Sequence, residues 1–395
     1  MEAYRYIVVG RGMVGAACAK HLAQAADGVA LVGPLEPRDR KAHQGVFASH
    51  YDESRITRTL DPHPSHALFV IRATERFRDI ERRSGVRFFR ETGHLAITPE
   101  QDSPELYRRQ LDEVAAQHAT EYEALDADEL RSRFPALRFP TGFVGRYQRK
   151  LAGVINPRTL VQAQVELATK DGAVCIEETV TGVQAVGGHV EIHTDTGRTL
   201  SGDRVLFATG AFTNHHQFTS RPLALSYSGR TLVHMEIPKT DAERLGELPT
   251  LIYRTASAVK RGYIVPPTEY PDGRTYVKIG GSGENEPKLR DSQAVSDWFR
   301  TDGRPSAAAT LSATLREFYP AVEFLSAKTT PCVGYSTATD MPYIAPVAAG
   351  VYVAIAQGAA AKSTDELGLI AARMLAHGTW DYDMPPEEFA VRYAE

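Results

Sequence analysis

Cysteine is scarce in this chain. Its 395 residues hold three, Cys18, Cys175 and Cys332. They are odd in number and far apart, which excludes a disulfide framework and gives no spacing for a cysteine zinc site. Cys18 in the first helix and Cys175 in an apolar strand read as buried packing residues. No apolar run is long enough to span a bilayer, so no membrane segment is expected. The net charge is only −4. That gives no electrostatic reason to expect nucleic acid or an anionic membrane as partner. Internal repeats and low-complexity tracts are both missing. No basic segment and no apolar leader core precede the first strand, so a cytoplasmic protein is expected. The length suffices for two domains.

What the chain does have is concentrated in Tyr4–Ala23. Tyr4–Val9 is a short, β-branched, apolar run with the look of a buried strand. Gly10, Gly12 and Gly15 follow with the spacing G-x-G-x-x-G. From Met13 onward, small and apolar residues recur at helical spacing. Gly10 permits the tight turn, Gly12 lets backbone approach a pyrophosphate, and Gly15 lets the helix lie close on the strand. The phosphates would then meet free N–H groups at the positive helix end. A second strand, Val29–Val32, comes one helix later. The motif is weak alone, because any tight strand–helix turn can produce it. Its position after a strand and before a helix predicts a dinucleotide site.

One part of the fingerprint is missing. The end of the second strand ordinarily carries Asp or Glu for the ribose hydroxyls. Here that place is Gly33, and Glu36 is the nearest carboxylate. Either Glu36 reaches back to the ribose or backbone groups hold it. Arg38 and Arg40 follow closely.

Further along, Pro64–Ser84 has a helical apolar stripe ending at Gly85. Phe88–Thr98 reads as a strand pair or one bent strand, broken at Gly93. Ser103-Pro104 has the preferences of a helix start, Asp126 and Glu129 those of a capping box, and Asn156-Pro157 those of a third start. Strands are expected over Ala173–Ile176, Val180–Val186 and Val190–Thr194. Asp203–Ala211 is a buried strand ending in Ala208-Thr209-Gly210, where small residues admit a ligand. Arg230–Ile237, Leu251–Tyr253, Gly262–Val265 and Thr275–Ile279 form a strand-rich block. Ala307–Phe318 is a helix, Val351–Ala356 a last buried strand, and Ser363–Ala376 a closing helix. The chain thus begins and ends with a strand, a small-residue turn and a helix. A dinucleotide domain of distant segments, interrupted by an antiparallel-sheet domain, accounts for this order.

Ser49–Arg58 is polar and irregular, yet follows the glycine motif closely. As a solvated loop it would carry Arg55 and Arg58 on a surface face. Lys278 could be an outward-facing strand lysine, and Lys362 a helix-start lysine in solvent. The setting of Lys362 argues otherwise. A lone cation among small residues at the positive end of a helix is unfavourable without an anion nearby.

These motifs, in this order, resemble the monomeric sarcosine oxidase group of the D-amino-acid-oxidase-like flavoenzymes. The resemblance runs from Tyr4 to about Ala376. It rests on the glycine motif, Ser49–Arg58, Ala208–Ala211, Tyr276–Gly280, the Cys332 region and the entry to the last helix. It implies a mixed α/β fold: a Rossmann-like FAD-binding domain built from discontinuous segments plus an antiparallel-sheet substrate domain. The segments expected are 1–84, 142–220 and 320–395 for FAD, and 85–141 and 221–319 for substrate. It implies oxidation of a C–N bond beside a carboxylate, with oxygen reduced to peroxide, in a monomer. A secondary or N-methyl amino acid is the expected substrate class. A flavin dehydrogenase using another electron acceptor, or a flavin-binding protein without turnover, are the alternatives.

By position, Arg58 and Lys362 match the pair that binds the substrate carboxylate. Lys278 matches the lysine that activates oxygen. Arg55 and His50 match positions lining the flavin, and Tyr263 an active-site tyrosine. Cys332 matches the cysteine that carries FAD through a thioether, with one residue too many between it and Asp340. A small buried thiol is the other possibility. The cofactor-facing positions carried over are Gly10, Gly12, Met13, Val14, Gly15, Glu36, Ser49 and Arg55. Val180, Thr209, Gly210, Cys332, Gly358 and Lys362 complete them. Ser282 replaces an active-site histidine of the family, and Gln357–Ala361 replaces its glycine-and-histidine loop. The pocket is therefore remodelled, and sarcosine itself does not follow as substrate. No metal is expected.

Overall fold

The computed structural model describes residues 2–100, 105–216, 218–254, 261–282, 286–358 and 360–395. Ser103 and Pro104 lie outside them; the helix they were expected to open runs over Glu105–Gln117.

Among the described residues the chain is mixed α/β, with sheets of eight, nine and three strands. The first sheet is built around five parallel strands. Their order is Val174–Ile176, Val29–Val32, Glu2–Val9, Thr199–Phe207 and Val351–Ile355. The four from Val29–Val32 to Val351–Ile355 bury apolar side chains on both faces, as parallel strands under helices must. An antiparallel pair, Val180–Val186 and His189–Thr194, extends the sheet from the start of Thr199–Phe207. Val174–Ile176 is an edge, so Cys175 is only half-buried, against Thr169 Oγ1 at 3.4 Å. The expectation of a buried thiol holds for Cys18 alone.

Four helices are drawn together over this sheet by one carboxylate. Asp365, at the start of Thr364–His377, accepts from Lys20 of Met13–Ala25, Arg76 of Pro64–Ser84 and Gln164 of Pro157–Lys170. Burial alone would raise its pKa. Lys20, His21 and Arg76 hold it well below the usual carboxylate range. Gly368 lets the first and last helices touch, since a Cβ there would meet Ala17 Cβ at 2.4 Å.

The nine-stranded sheet is almost wholly antiparallel and centres on Leu225–Glu236. That strand pairs with Ser326–Thr337 on one side and with Thr275–Ser282 on the other. Arg261–Glu269 and Thr250–Arg254 continue the sheet to His94–Pro99 and Phe143–Gln148. Gly93, at φ +84°, separates Phe89–Arg90 from His94–Pro99, and the two strands join different sheets. Phe143–Gln148 and Ser326–Thr337 fall inside segments assigned from the sequence to the cofactor domain. Both belong to the antiparallel sheet. Their mixed polar and apolar residues lack clean alternation, because each is only partly covered.

Candidate active site

The glycine turn sits where two parallel strands end side by side. Ala208 N donates to Val9 O at 2.7 Å, and Gly10 N to Val32 O at 2.8 Å. Gly10 has φ +112°, and a Cβ on it would meet Ala208 O at 2.4 Å. A Cβ on Gly15 would lie 1.8 Å from Gly10 O. Gly12 differs: its Cβ would meet no protein atom within 4 Å. No side chain caps the helix that follows. The turn therefore leaves an open cradle at a free helix N-terminus, as a dinucleotide pyrophosphate requires.

Gly33 also has a steric cause. A Cβ there would lie 2.6 Å from Arg11 N. The side chain that usually meets the ribose is excluded by the approach of the glycine loop. Glu36 lines the same cavity, but its carboxylate takes two hydrogen bonds from Arg158, each 2.8 Å.

The cradle opens into a cavity of about 490 Å³. Gly10, Gly12, Met13, Val14 and Val180 line one end, with Thr209 and Gly210 beside them. Ser49, Arg55, Cys332 and Gly358 lie further along its wall. Gly15, His50, Tyr263, Lys278, Arg58 and Lys362 are not on that wall. The long cavity, starting at an uncapped helix end and running between the two sheets, fits an extended dinucleotide such as FAD.

Where the cavity meets the antiparallel sheet, buried charges gather. Lys278 is 1% exposed. It is no solvated strand lysine: its Nζ donates to Asp52 Oδ2 at 2.7 Å and to Ser54 O. Tyr270 OH donates to Asp52 Oδ1 at 3.1 Å, and Arg55 Nε stands 3.6 Å from Oδ2. Burial would raise the Asp52 pKa, but Lys278 and Arg55 bring it down to about 2. Burial pulls the Lys278 ammonium below its ordinary value, with Asp52 opposing. His234 is the cross-strand neighbour of both Lys278 and Lys328. Neither of its ring nitrogens has a partner among the described residues. Burial, aided by Lys278, pushes its pKa down to about 3.

Tyr263 packs over Gly280, where a Cβ would meet its ring at 2.6 Å. Burial raises its phenol, with Cys332 and Asp52 adding to the effect. Cys332 is half-buried on the cavity wall, and its carbonyl accepts from Trp298 Nε1 at 2.9 Å. His50 stacks edge-on against Tyr51, its Nδ1 unpaired among the described residues. Burial, then Arg55, lowers its pKa to about 3. Arg55 donates to Ser49 O, which folds the loop back on itself.

Arg58 and Lys362 come together from opposite ends of the chain. Lys362 lies in the short turn Ala360–Ser363 and is 5% exposed, not in solvent. Its Nζ donates to Asp61 Oδ2 at 2.9 Å, and an Arg58 Nη2 lies 3.1 Å from the same oxygen. Asp61 is the anion that the setting of Lys362 demanded. Burial would raise its pKa; Lys362 and Arg58 hold it far below the usual range. The pair borders a second cavity of about 260 Å³, with His63 and His66. Ala360 lies on the walls of both cavities. The Ser282 side chain and Ala359 are outside the described residues.

Asp52, Asp61, His234 and Tyr270 were not singled out in the sequence. Two of them had a usable signal. Asp52 precedes Arg55 by three residues and Asp61 follows Arg58 by three, a spacing at which short loops form ion pairs.

The family described as FAD dependent oxidoreductase (DAO) matches residues 5–374. Monomeric sarcosine oxidase of Streptomyces avermitilis is 31% identical over 206 residues, 51% of each chain. N-methyl-L-tryptophan oxidase of Yersinia pestis is 22% identical over 211 residues, 53% of this chain and 54% of that one. The chain thus spans about half the length of the curated relatives it matches. In fold it is similar to the open form of NikD, an amino acid oxidase of nikkomycin biosynthesis. The TM-score is 0.79 at 20% identity, over 100% of this chain and 99% of that one. L-proline dehydrogenase from P. horikoshii superposes with TM-score 0.76 at 17% identity, over 98% and 97%.

Proposed function

Since the chain belongs to the family of FAD-dependent oxidoreductases, we propose that it oxidises the C–N bond of a secondary or N-methyl amino acid, or a related carboxylate-bearing amine. FAD, when bound, supplies the two-electron acceptor and passes the electrons to oxygen, giving peroxide. One observation carries the substrate class. The largely buried side chains of Arg58 and Lys362 converge on a cavity that shares Ala360 with the dinucleotide cavity.

Each residue has a task in this account. Gly10, Gly12 and Gly15 shape the turn that takes the pyrophosphate. Arg58 and Lys362 hold the substrate carboxylate in one orientation, so that its C–H faces the cofactor. Lys278 keeps a fixed positive charge near the reacting oxygen. Cys332, on the cavity wall, would be the residue to hold FAD covalently. The parallel sheet carries the cofactor, in a monomer.

A second reading has its own observation. Asp52 offsets the charge of Lys278, which favours an electron acceptor other than oxygen. The test is peroxide release with a panel of N-methyl and cyclic secondary amino acids. Peroxide matching substrate consumption supports the oxidase. Bleaching of the visible absorbance without peroxide supports the dehydrogenase. No bleaching by any amine contradicts both.

A further inference from the structure

Arg58 and Lys362 are not a bare pair of cations. Both end on one oxygen, Asp61 Oδ2. The side chains of Arg58, Asp61 and Lys362 are 12%, 5% and 6% exposed. In so buried a cluster charges are little screened, and an imbalance is felt strongly. Two cations and one carboxylate leave a single net positive charge. Burial keeps the nearby imidazole of His66 below its ordinary pKa, so it adds no lasting charge at neutral pH.

Donors remain for an incoming anion. Arg58 Nε is buried and without a partner among the described residues. Among the described residues the Lys362 ammonium has one hydrogen bond, to Asp61, and it has three protons to give. A ligand carboxylate can therefore bind beside Asp61 without displacing it. The exposed Asp340 on the same cavity would face any second carboxylate with a like charge.

We propose that Asp61 sets the charge of the substrate receptor, so that one carboxylate neutralises the site and dicarboxylates are rejected. This rests on the reading of Arg58 and Lys362 as the carboxylate receptor. Asp61 is a specificity-determining residue in this account: removing its charge should open the site to dianions.

The test uses a matched pair of ligands on the FAD-loaded protein, (methylthio)acetate and thiodiacetate. Binding is read by calorimetry and by perturbation of the visible spectrum, without turnover. The wild type should bind the monoanion at least tenfold more tightly. Asp61→Asn should shift that ratio at least tenfold toward the dianion. Asp61→Asn combined with Lys362→Met restores one net positive charge and should restore the preference for the monoanion. If Asp61→Asn alone is too unstable, the double variant is compared with Lys362→Met, over which it should regain at least tenfold in monoanion affinity. A wild type indifferent to the second carboxylate, or a ratio unmoved by the loss of Asp61, overturns the proposal. If Lys362→Met leaves (methylthio)acetate affinity unchanged, the receptor itself is wrongly placed. If it weakens binding while Asp61→Asn moves nothing, only the role of Asp61 falls.

Discussion

Lys278 Nζ lies 2.7 Å from Asp52 Oδ2, an ion pair that ties the loop after the second parallel strand to the middle of the antiparallel sheet. The lysine reaches the cofactor region with its charge already offset. Burial lowers its pKa, and Asp52 is the group that pulls it back up. The pair therefore governs both where the charge sits and over what pH it persists.

Lys278→Met should leave flavin reduction by substrate within about threefold, while reoxidation by oxygen slows by roughly tenfold or more, about 1.4 kcal/mol of lost charge stabilisation. Asp52→Asn should act through pH. Without the carboxylate the Lys278 pKa falls further, so fast reoxidation should disappear at a lower pH than in the wild type. Stopped-flow reoxidation across pH 6 to 10 measures both. Equal pH profiles in wild type and Asp52→Asn would separate Lys278 from oxygen chemistry.

Gly12 and Gly15 should fail in different ways. Gly15→Ala drives a Cβ into Gly10 O and should lower the melting temperature, through a destabilisation of about 1–3 kcal/mol typical of overpacking. Gly12→Ala meets no protein atom. It should keep the apoprotein stable and weaken FAD binding. Thermal melts with and without added FAD distinguish the two. A Gly12→Ala protein with unchanged FAD affinity would remove the pyrophosphate from this turn.

Much of the fold was legible because periodicity follows burial. Val29–Val32 and Pro64–Ser84 have the bounds their patterns gave, since one is buried throughout and the other has a single apolar stripe. The capping box at Asp126 and Glu129 was visible because it is local chemistry. Ser326–Thr337 was not, because a partly covered strand shows no clean period, and Ser292–Arg300, though one-sided in pattern, is only nine residues long. Among site residues, the glycines could be read from spacing alone. The spacing of Asp52 and Asp61 pointed to Arg55 and Arg58 but not to their lysine partners. What they do depends on lysines more than two hundred residues away in the chain.

Cys332 is half-buried on the cavity wall, as a covalent attachment point requires. Acid precipitation of the purified protein should leave the yellow colour in the pellet. Cys332→Ala should release it to the supernatant. Free flavin in the wild-type supernatant would decide for a non-covalent cofactor and a packing role for the thiol.

Acid should destabilise the protein through its buried histidines. Burial and Lys278 depress His234 to about 3, and burial holds His94 well below its ordinary value. The unfolded chain takes up protons below about pH 6.5 that the folded chain refuses. Stability is thus fully present above that pH and falls as pH drops toward 3. For His234 the loss reaches about 2 kcal/mol at pH 5. The melting temperature should fall between pH 7.5 and 5, and fall less in His234→Gln. Asp52 and Asp61 do not contribute in this window, because their effect begins only near the ordinary carboxylate pKa. An equal fall in both proteins would contradict the burial of a neutral His234.

The most direct test of the account is anaerobic mixing of the purified protein with paired amines that differ only in a carboxylate. N-methyl and cyclic secondary amino acids should bleach the visible absorbance, and their decarboxylated counterparts should not. In Lys362→Met the concentration of amino acid needed for half-maximal bleaching should rise tenfold to a hundredfold, the cost of one charge-assisted contact at about 1.5–3 kcal/mol. Equal bleaching by amines without a carboxylate, with Lys362→Met indistinguishable from wild type, would contradict the central claim.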